Sequence, residues 1–400
     1  MFEGLENAHA LAEAGALAYH MKLPRPRVDL VYFNAGAGHR SATLALEAVI
    51  KQQGRPWDVR LVNLTEVLSP TDVFKKMTGH GLEDIYNAIL KRGWTLGTKE
   101  VLPLMHGVIR LYHSQTVELI EKFWRTDTPD LFVSLIPNFN RAMLEALRRI
   151  TPRTPLVTII TDMADYPPHF WLEPQEQHVV CGTQKAVEQA RAMGYTQDRI
   201  HAVSGMILRP TFYDLPQWDR AAELTKLGLE PGRKTGLALF GGQGAPVMVD
   251  LVNRLQTTSK PVQLILMCGH NEGLAAKLRK METRIPVHVE GFTTEVPKFM
   301  AISDFMMGKP GPGSISEAMA MKLPVIVERN AWTMPQERYN ADWLLERGAG
   351  VVLKNFREIG PAVERLLEPG VLEKMRANAG AVNNRAVFEI TDILERLVLE

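Results

Sequence analysis

Ser303-Asp304-Phe305-Met306-Met307-Gly308-Lys309-Pro310-Gly311-Pro312-Gly313-Ser314-Ile315-Ser316-Glu317-Ala318 decides how this chain is read. Apolar Phe305 to Met307 suit a short buried strand, the Gly and Pro residues forbid its continuation, and Ser314 onward reads as a helix with Glu317 in its first turn. A strand therefore stops over the mouth of a helix. Glycine lets backbone N–H groups approach a bound group, and a helix N-terminus offers unpaired donors with a partial positive charge. That combination suits a phosphate or diphosphate. Two uses of Glu317 stay open. It accepts hydrogen bonds from neutral hydroxyls, such as those of a ribose, or it caps its own helix and the glycines only make a turn.

Outward from this stretch, strand-like apolar runs alternate with helical patterns. The first series is 28–33, 59–63, 130–135, 155–160, 178–181 and 200–203; the second is 235–240, 262–268, 287–290, 305–307, 325–328 and 351–353. Alternation of this kind predicts an α/β fold of two Rossmann-like, doubly wound domains facing each other across a cleft. Residues 1–208 form the first domain, 235–375 the second, and 376–400 a helical tail whose owner domain is not legible. Between the domains, 209–234 carries Pro210, Pro216, Pro231 and mixed charge, as expected of a linker with a short helix. Four hundred residues exceed one ordinary core and suit two large α/β domains or three small ones.

Composition narrows the function classes. Apolar content of 46% and charged content of 23% are those of a globular protein. A net charge of +1 gives no global attraction to nucleic acid, so no nucleic-acid partner is expected and an anionic surface would have to meet a local patch. Cys181 and Cys268 end strand-like runs far apart and match no metal spacing, which predicts buried free thiols in a reducing compartment. Residues 1–18 carry Glu3, Glu6 and Glu13 without a basic start, unlike a secretory signal. No uncharged apolar run reaches membrane-spanning length. A cytoplasmic location with peripheral membrane contact is expected.

Further turns follow predicted strands. Asn34-Ala35-Gly36-Ala37-Gly38-His39-Arg40-Ser41 lacks the third glycine of a dinucleotide fingerprint, and the second strand ends at Asn63 instead of an acidic residue. His39 stands at the ligand end of the sheet, where it suits a general base kept neutral by a helix N-terminus, or it is a surface histidine in a turn. Asp162 lies just past another strand, placed to orient a ligand or a histidine, or to close a turn. The Pro167-Pro168 pair fixes a loop that presents His169, Phe170 and Trp171 or packs them. Gly241-Gly242-Gln243-Gly244, Gly269-His270 and Gly291-Phe292 again follow strands. In 65–125 apolar residues interleave with Lys75, Lys76, Lys91, Arg92, Lys99 and Arg110, a helical insertion that is either core or a surface for an anionic bilayer with Trp94 at the interface.

Together these residues resemble the monogalactosyldiacylglycerol synthase and processive diacylglycerol glucosyltransferase family, and more distantly the lipid II N-acetylglucosaminyltransferase. All are GT-B glycosyltransferases that use UDP-sugars. The resemblance runs from about Val28 to Leu353. It is carried by Gly36-Ala37-Gly38-His39-Arg40, Thr161-Asp162, Gly241-Gly242-Gln243-Gly244, Gly291-Phe292, and Gly311-Pro312-Gly313-Ser314-Ile315-Ser316-Glu317-Ala318 with Pro335-Gln336-Glu337. The resemblance implies that Glu317 holds the ribose hydroxyls, the Gly311, Pro312, Gly313 and Ser314 backbone holds diphosphate, and Phe292 lies against uracil. It also implies that Gly38, Gly242 and Gln243 belong to the glycine loops of the site, that Gln336 and Glu337 contact the sugar, and that His39 lies near the acceptor hydroxyl; as a catalytic pair, a neutral His39 oriented by Asp162 is the expected mechanism. A diacylglycerol-like lipid is the implied acceptor, 65–125 the implied membrane region, and the inner face of the plasma membrane the implied location. One departure stands out: the family's histidine precedes its proline before the aromatic, whereas here His169 follows Pro167-Pro168. No Asp-x-Asp motif is placed on the diphosphate, so no metal and no obligatory cofactor beyond the donor substrate is expected. A transferase with a soluble acceptor, a UDP-sugar epimerase or hydrolase, and a non-catalytic sensor are the competing readings.

Overall fold

The computed structural model describes residues 25–34, 38–69, 107 and 111–399. Gly36 and Ala37 of the first glycine loop, and 70–106 and 108–110 of the insertion including Trp94, lie outside the described residues. Twelve strands appear among the described residues, each within two residues of an expected run. The first sheet contains β1 (Arg27–Tyr32), β2 (Asp58–Asn63), β3 (Leu131–Ser134), β4 (Leu156–Ile159), β5 (His178–Cys181) and β6 (Ile200–Ala202). The second contains β7 (Lys234–Leu239), β8 (Val262–Met267), β9 (Val287–Glu290), β10 (Phe305–Gly308), β11 (Val325–Glu328) and β12 (Gly350–Leu353). All pairings are parallel. Near-continuous Val, Ile and Leu runs form such strands because helices cover both faces.

Strand order fixes where a ligand belongs. The first sheet runs β2-β1-β3-β4-β5-β6 and the second β12-β11-β10-β7-β8-β9. The direction in which successive strands are added therefore reverses between β1 and β3 in one sheet and between β7 and β10 in the other. In open parallel sheets the crevice at the carboxyl ends of those strands is the binding place. The loops leaving β1 and β3 carry His39 and Leu135; those leaving β7 and β10 carry Gly241 to Gly244 and Lys309 to Ser314. Close pairing at the second switch point needs glycine, since a Cβ on Gly308 would meet the Leu239 carbonyl oxygen at 2.3 Å.

Two expectations change, and one open alternative narrows. Residues 371–380 already form a helix on the second domain, and 386–399 form another that packs Val387, Ile390 and Leu394 into the first domain's core beside Val28 and Leu46. Arg55 anchors that last helix through Asp392 and Glu395. The tail is thus two helices owned by different domains. The expected linker is also narrower than 209–234, because Leu224 and Leu229 are buried in the second domain's core. The chain crosses near 204–209 and returns near 384–385, where the Asn384 side chain donates to the Met206 carbonyl (2.8 Å) and the Arg385 N–H to Ser204 Oγ (2.7 Å). Finally, the described end of the insertion is core: Val117, Ile120 and Trp124 from the His113–Arg125 helix pack with Phe132. Both cysteines are free and buried.

Candidate active site

The loop after β1 becomes the Gly38–Gln52 helix, so His39 sits in a first helical turn. Its Nδ1 lies 3.2 Å from Thr161 Oγ1, and its ring is 5.7 Å from that of Trp171. Burial at the cleft base lowers the imidazole's pKa to about 4, with a backbone hydrogen bond to Leu135 opposing the shift. The ring is therefore neutral across the physiological range.

Among the described residues the Asp162 side chain bonds not to His39, the partner expected for it, but to Trp171. Its Oδ2 accepts the indole N–H of Trp171 at 2.9 Å, and both side chains are buried. Desolvation raises its carboxyl to about 7; the Trp171 bond opposes this, and the charges of Glu337 and Asp165 add to it. The side chain within hydrogen-bonding distance of the His39 ring is that of Thr161. Behind them, the buried Asp165 carboxylate accepts the backbone N–H groups of His169 (3.1 Å) and Trp171 (2.6 Å), which holds His169 at a φ of 64°. Trp171 is thereby turned inward, while His169 is exposed. Met163 and Tyr166 from this loop reach the second domain. Met163 enters its core, and the Tyr166 ring lies 6.4 Å from that of Tyr339. This contact places Asp162 within the field of Glu337 across the cleft.

On the second sheet the helix after β10 begins at Pro312, not at Ser314. Proline's fixed φ suits a first helical position. Glu317 consequently falls in the second turn, neither capping the helix nor competing for its mouth. The exposed Gly313 and partly exposed Ser314 stand at that mouth, with buried Gly311 as the preceding cap residue. Glu317 Oε1 lies 3.3 Å from Arg209 Nη2, and burial raises its pKa against the pull of that guanidinium. Arg209 Nε is buried without a partner. Sequence reasoning gave Arg209 no role, since only its position at the mouth of the linker marked it.

Three loops from β7, β8 and β9 are stitched together. Gly269 has a φ of 56° and lies so close to Gly242 that a Cβ would meet that carbonyl oxygen at 2.2 Å; the His270 N–H donates to the same oxygen at 2.9 Å. Asn271 Nδ2 donates to the Gln243 carbonyl at 3.2 Å. Phe292, 62% exposed, stacks on His270 with ring centroids 4.0 Å apart. Gly242 and Gln243 are exposed. Gln336 is buried, with Nε2 against Met334 Sδ at 3.8 Å, and Glu337 Oε1 lies 3.6 Å from Lys309 Nζ. Lys309 was quoted in the decisive stretch but assigned no function. The second sheet thus gathers Gly242, Gln243, Phe292, Gly311 to Ser314, Glu317, Gln336 and Glu337 at strand ends, with Gly38, His39 and Asp162 on the first. Among the described residues, no group of three or more His, Cys, Asp or Glu side chains is arranged to hold a metal ion, and no helix is long and apolar enough to cross a membrane.

Comparisons with known proteins agree with this geometry. Residues 237–397 match the glycosyltransferase family 28 C-terminal domain. Monogalactosyldiacylglycerol synthase 1, chloroplastic, of Arabidopsis thaliana is 26% identical over 97% of this chain and 74% of its own length. Among solved structures, Acinetobacter baumannii MurG superposes with a TM-score of 0.61 at 12% identity, covering 93% of this chain and 100% of that one. Anabaena HepE in complex with UDP and glucose gives a TM-score of 0.52 at 15% identity, covering 94% and 100%. With two facing Rossmann-like sheets, this protein is a UDP-sugar glycosyltransferase of GT-B fold, similar over 237–397 to the glycosyltransferase family 28 C-terminal domain and over most of its length to the monogalactosyldiacylglycerol synthases.

Proposed function

We propose that the protein transfers galactose or glucose from a UDP-sugar to diacylglycerol or a related lipid, with inversion, as a peripheral enzyme at an anionic membrane surface on the cytoplasmic side. The observation that carries this reading is the opposition of a neutral imidazole on one switch point to bare-backbone loops and a helix mouth on the other. In the proposed arrangement uracil lies against Phe292, the ribose hydroxyls donate to Glu317, and the diphosphate faces the Gly311 to Ser314 backbone. Gly38, Gly242 and Gln243 line the donor, and Gln336 and Glu337 face the sugar.

The acceptor hydroxyl attacks the anomeric carbon and gives its proton to His39. A new carbon–oxygen bond forms as the bond to the β-phosphate breaks, and UDP departs with that electron pair. Helix-mouth N–H groups stabilise the growing charge. Thr161 positions the imidazole. Asp162, protonated below about pH 7, holds Trp171 and adds no negative charge close to the diphosphate in that range. No metal is required for this step.

Similarity to the monogalactosyldiacylglycerol synthases along nearly the whole chain supports the lipid acceptor. Purified protein incubated in EDTA with UDP-galactose, UDP-glucose or UDP-N-acetylglucosamine and diacylglycerol vesicles is expected to yield a monohexosyl lipid, identified by mass. Donor loss without a glycolipid would refute the lipid assignment and favour hydrolysis or epimerisation.

A further inference from the structure

Lys309 stands where the donor-side loops meet. It follows Gly308 at the end of β10, and its Cε lies 3.6 Å from where a Cβ on Gly241 would project and 3.9 Å from where one on Gly311 would. The lysine stem therefore lies between two stretches of bare backbone rising from the second switch point. Its Nζ is 3.6 Å from Glu337 Oε1, and that oxygen lies 3.8 Å from the same Gly311 position. The pair is loose. A separation of 3.6 Å exceeds a charge-assisted hydrogen bond, and the lysine side chain is 43% exposed against 12% for the carboxylate. A half-exposed ammonium held this way is readily taken by a stronger anion. Glu337, walled into the cleft, then needs other donors.

Resting on the UDP-sugar reading above, we propose that Lys309 is an exchangeable cation. It neutralises Glu337 in the empty site and passes to the donor diphosphate when UDP-sugar binds, which releases the Glu337 carboxylate to accept hydrogen bonds from the sugar's hydroxyls. UDP alone takes the lysine and strands the carboxylate; UDP-sugar takes the lysine and supplies replacement donors. Diphosphate capture and sugar recognition are thereby coupled through one side chain, and the two ligands respond differently to removal of the carboxylate's charge.

Calorimetric titration of the wild type, Lys309→Met and Glu337→Gln with uridine, UDP and UDP-galactose or UDP-glucose tests this. Lys309→Met is expected to weaken UDP by roughly ten- to a hundredfold, the range for one lost hydrogen bond to a charged group, and to leave uridine unchanged. The gap should narrow as salt rises. Glu337→Gln removes the competitor for the lysine, so UDP should bind more tightly while the preference for UDP-sugar over UDP falls. Retained uridine binding reports an intact cleft in either variant. The exchange is overturned if Lys309→Met binds UDP like the wild type, or if Glu337→Gln weakens UDP and UDP-sugar alike. A wild type that binds no UDP overturns the donor reading itself, and the exchange with it.

Discussion

Replacing Asp162 by asparagine should make the protein more stable, and only above a definite pH. The carboxyl is buried, its one hydrogen bond among the described residues comes from Trp171 at 2.9 Å, and its pKa is raised from 3.8 to about 7 chiefly by desolvation. A displacement of that size corresponds to roughly 4 kcal/mol in favour of the neutral form. The folded protein holds this proton more tightly than the unfolded chain does. Its contribution is therefore fully present below pH 3.8 and is lost as pH rises through about 7. Asparagine keeps an oxygen for the Trp171 indole and never ionises. Guanidinium unfolding of wild type and Asp162→Asn should coincide near about pH 4 and diverge with pH, the variant ahead by up to roughly 4 kcal/mol at about pH 8. Asp162→Ala is a control, since it leaves the buried indole N–H unpaired and should lie about 1–3 kcal/mol below Asp162→Asn at every pH. Stability curves for wild type and Asp162→Asn that stay parallel from about pH 4 to pH 8 would show that the carboxyl is ionised throughout, and the reasoning on its environment would be wrong.

His39→Ala should lower kcat by about 10²- to 10⁴-fold, the usual share of a positioned base, with the Kd for UDP unchanged by calorimetry. Because burial holds the imidazole at about 4, kcat/KM measured in the Asp162→Asn background should keep its acid limb near that value; a limb near 6.5 would mean a solvated ring. Glu317→Ala, which also strands Arg209, should weaken UDP about tenfold or more in the same titration, and unchanged affinity would remove its ribose role. Gly308→Ala forces a Cβ onto the Leu239 carbonyl and should cost about 1–3 kcal/mol in thermal unfolding while also weakening UDP, because the loops after β7 and β10 are spread apart.

The strands were legible because each is a short apolar run stopped by Gly, Pro or a polar cluster, a signal that needs no tertiary information. Runs such as 262–268 end where a glycine follows, and β8 stops one residue short of that limit. Pro312 was the missed local cue: its presence moves the helix start two residues earlier and carries Glu317 out of the first turn. The remaining surprises are tertiary. Nothing in Thr161-Asp162 tells which side chain faces His39, since that depends on Trp171 being drawn inward by Asp165, three residues past Asp162. The split of the tail rests on where Val387 and Ile390 find a core, and periodicity alone cannot name the sheet they cover. Lys309 went unassigned because its meaning comes from Gly241, which precedes it by 68 positions (309 − 241), and from Glu337 beyond it.

A structure determined with UDP bound probes the opposition of the two switch points most directly. Density is predicted with the base against Phe292, the ribose on Glu317 and the phosphates over Gly311 to Ser314, leaving the β-phosphate facing the His39 ring across the cleft. UDP lodged away from the loops after β7 and β10, or an imidazole turned away from the β-phosphate, would contradict it.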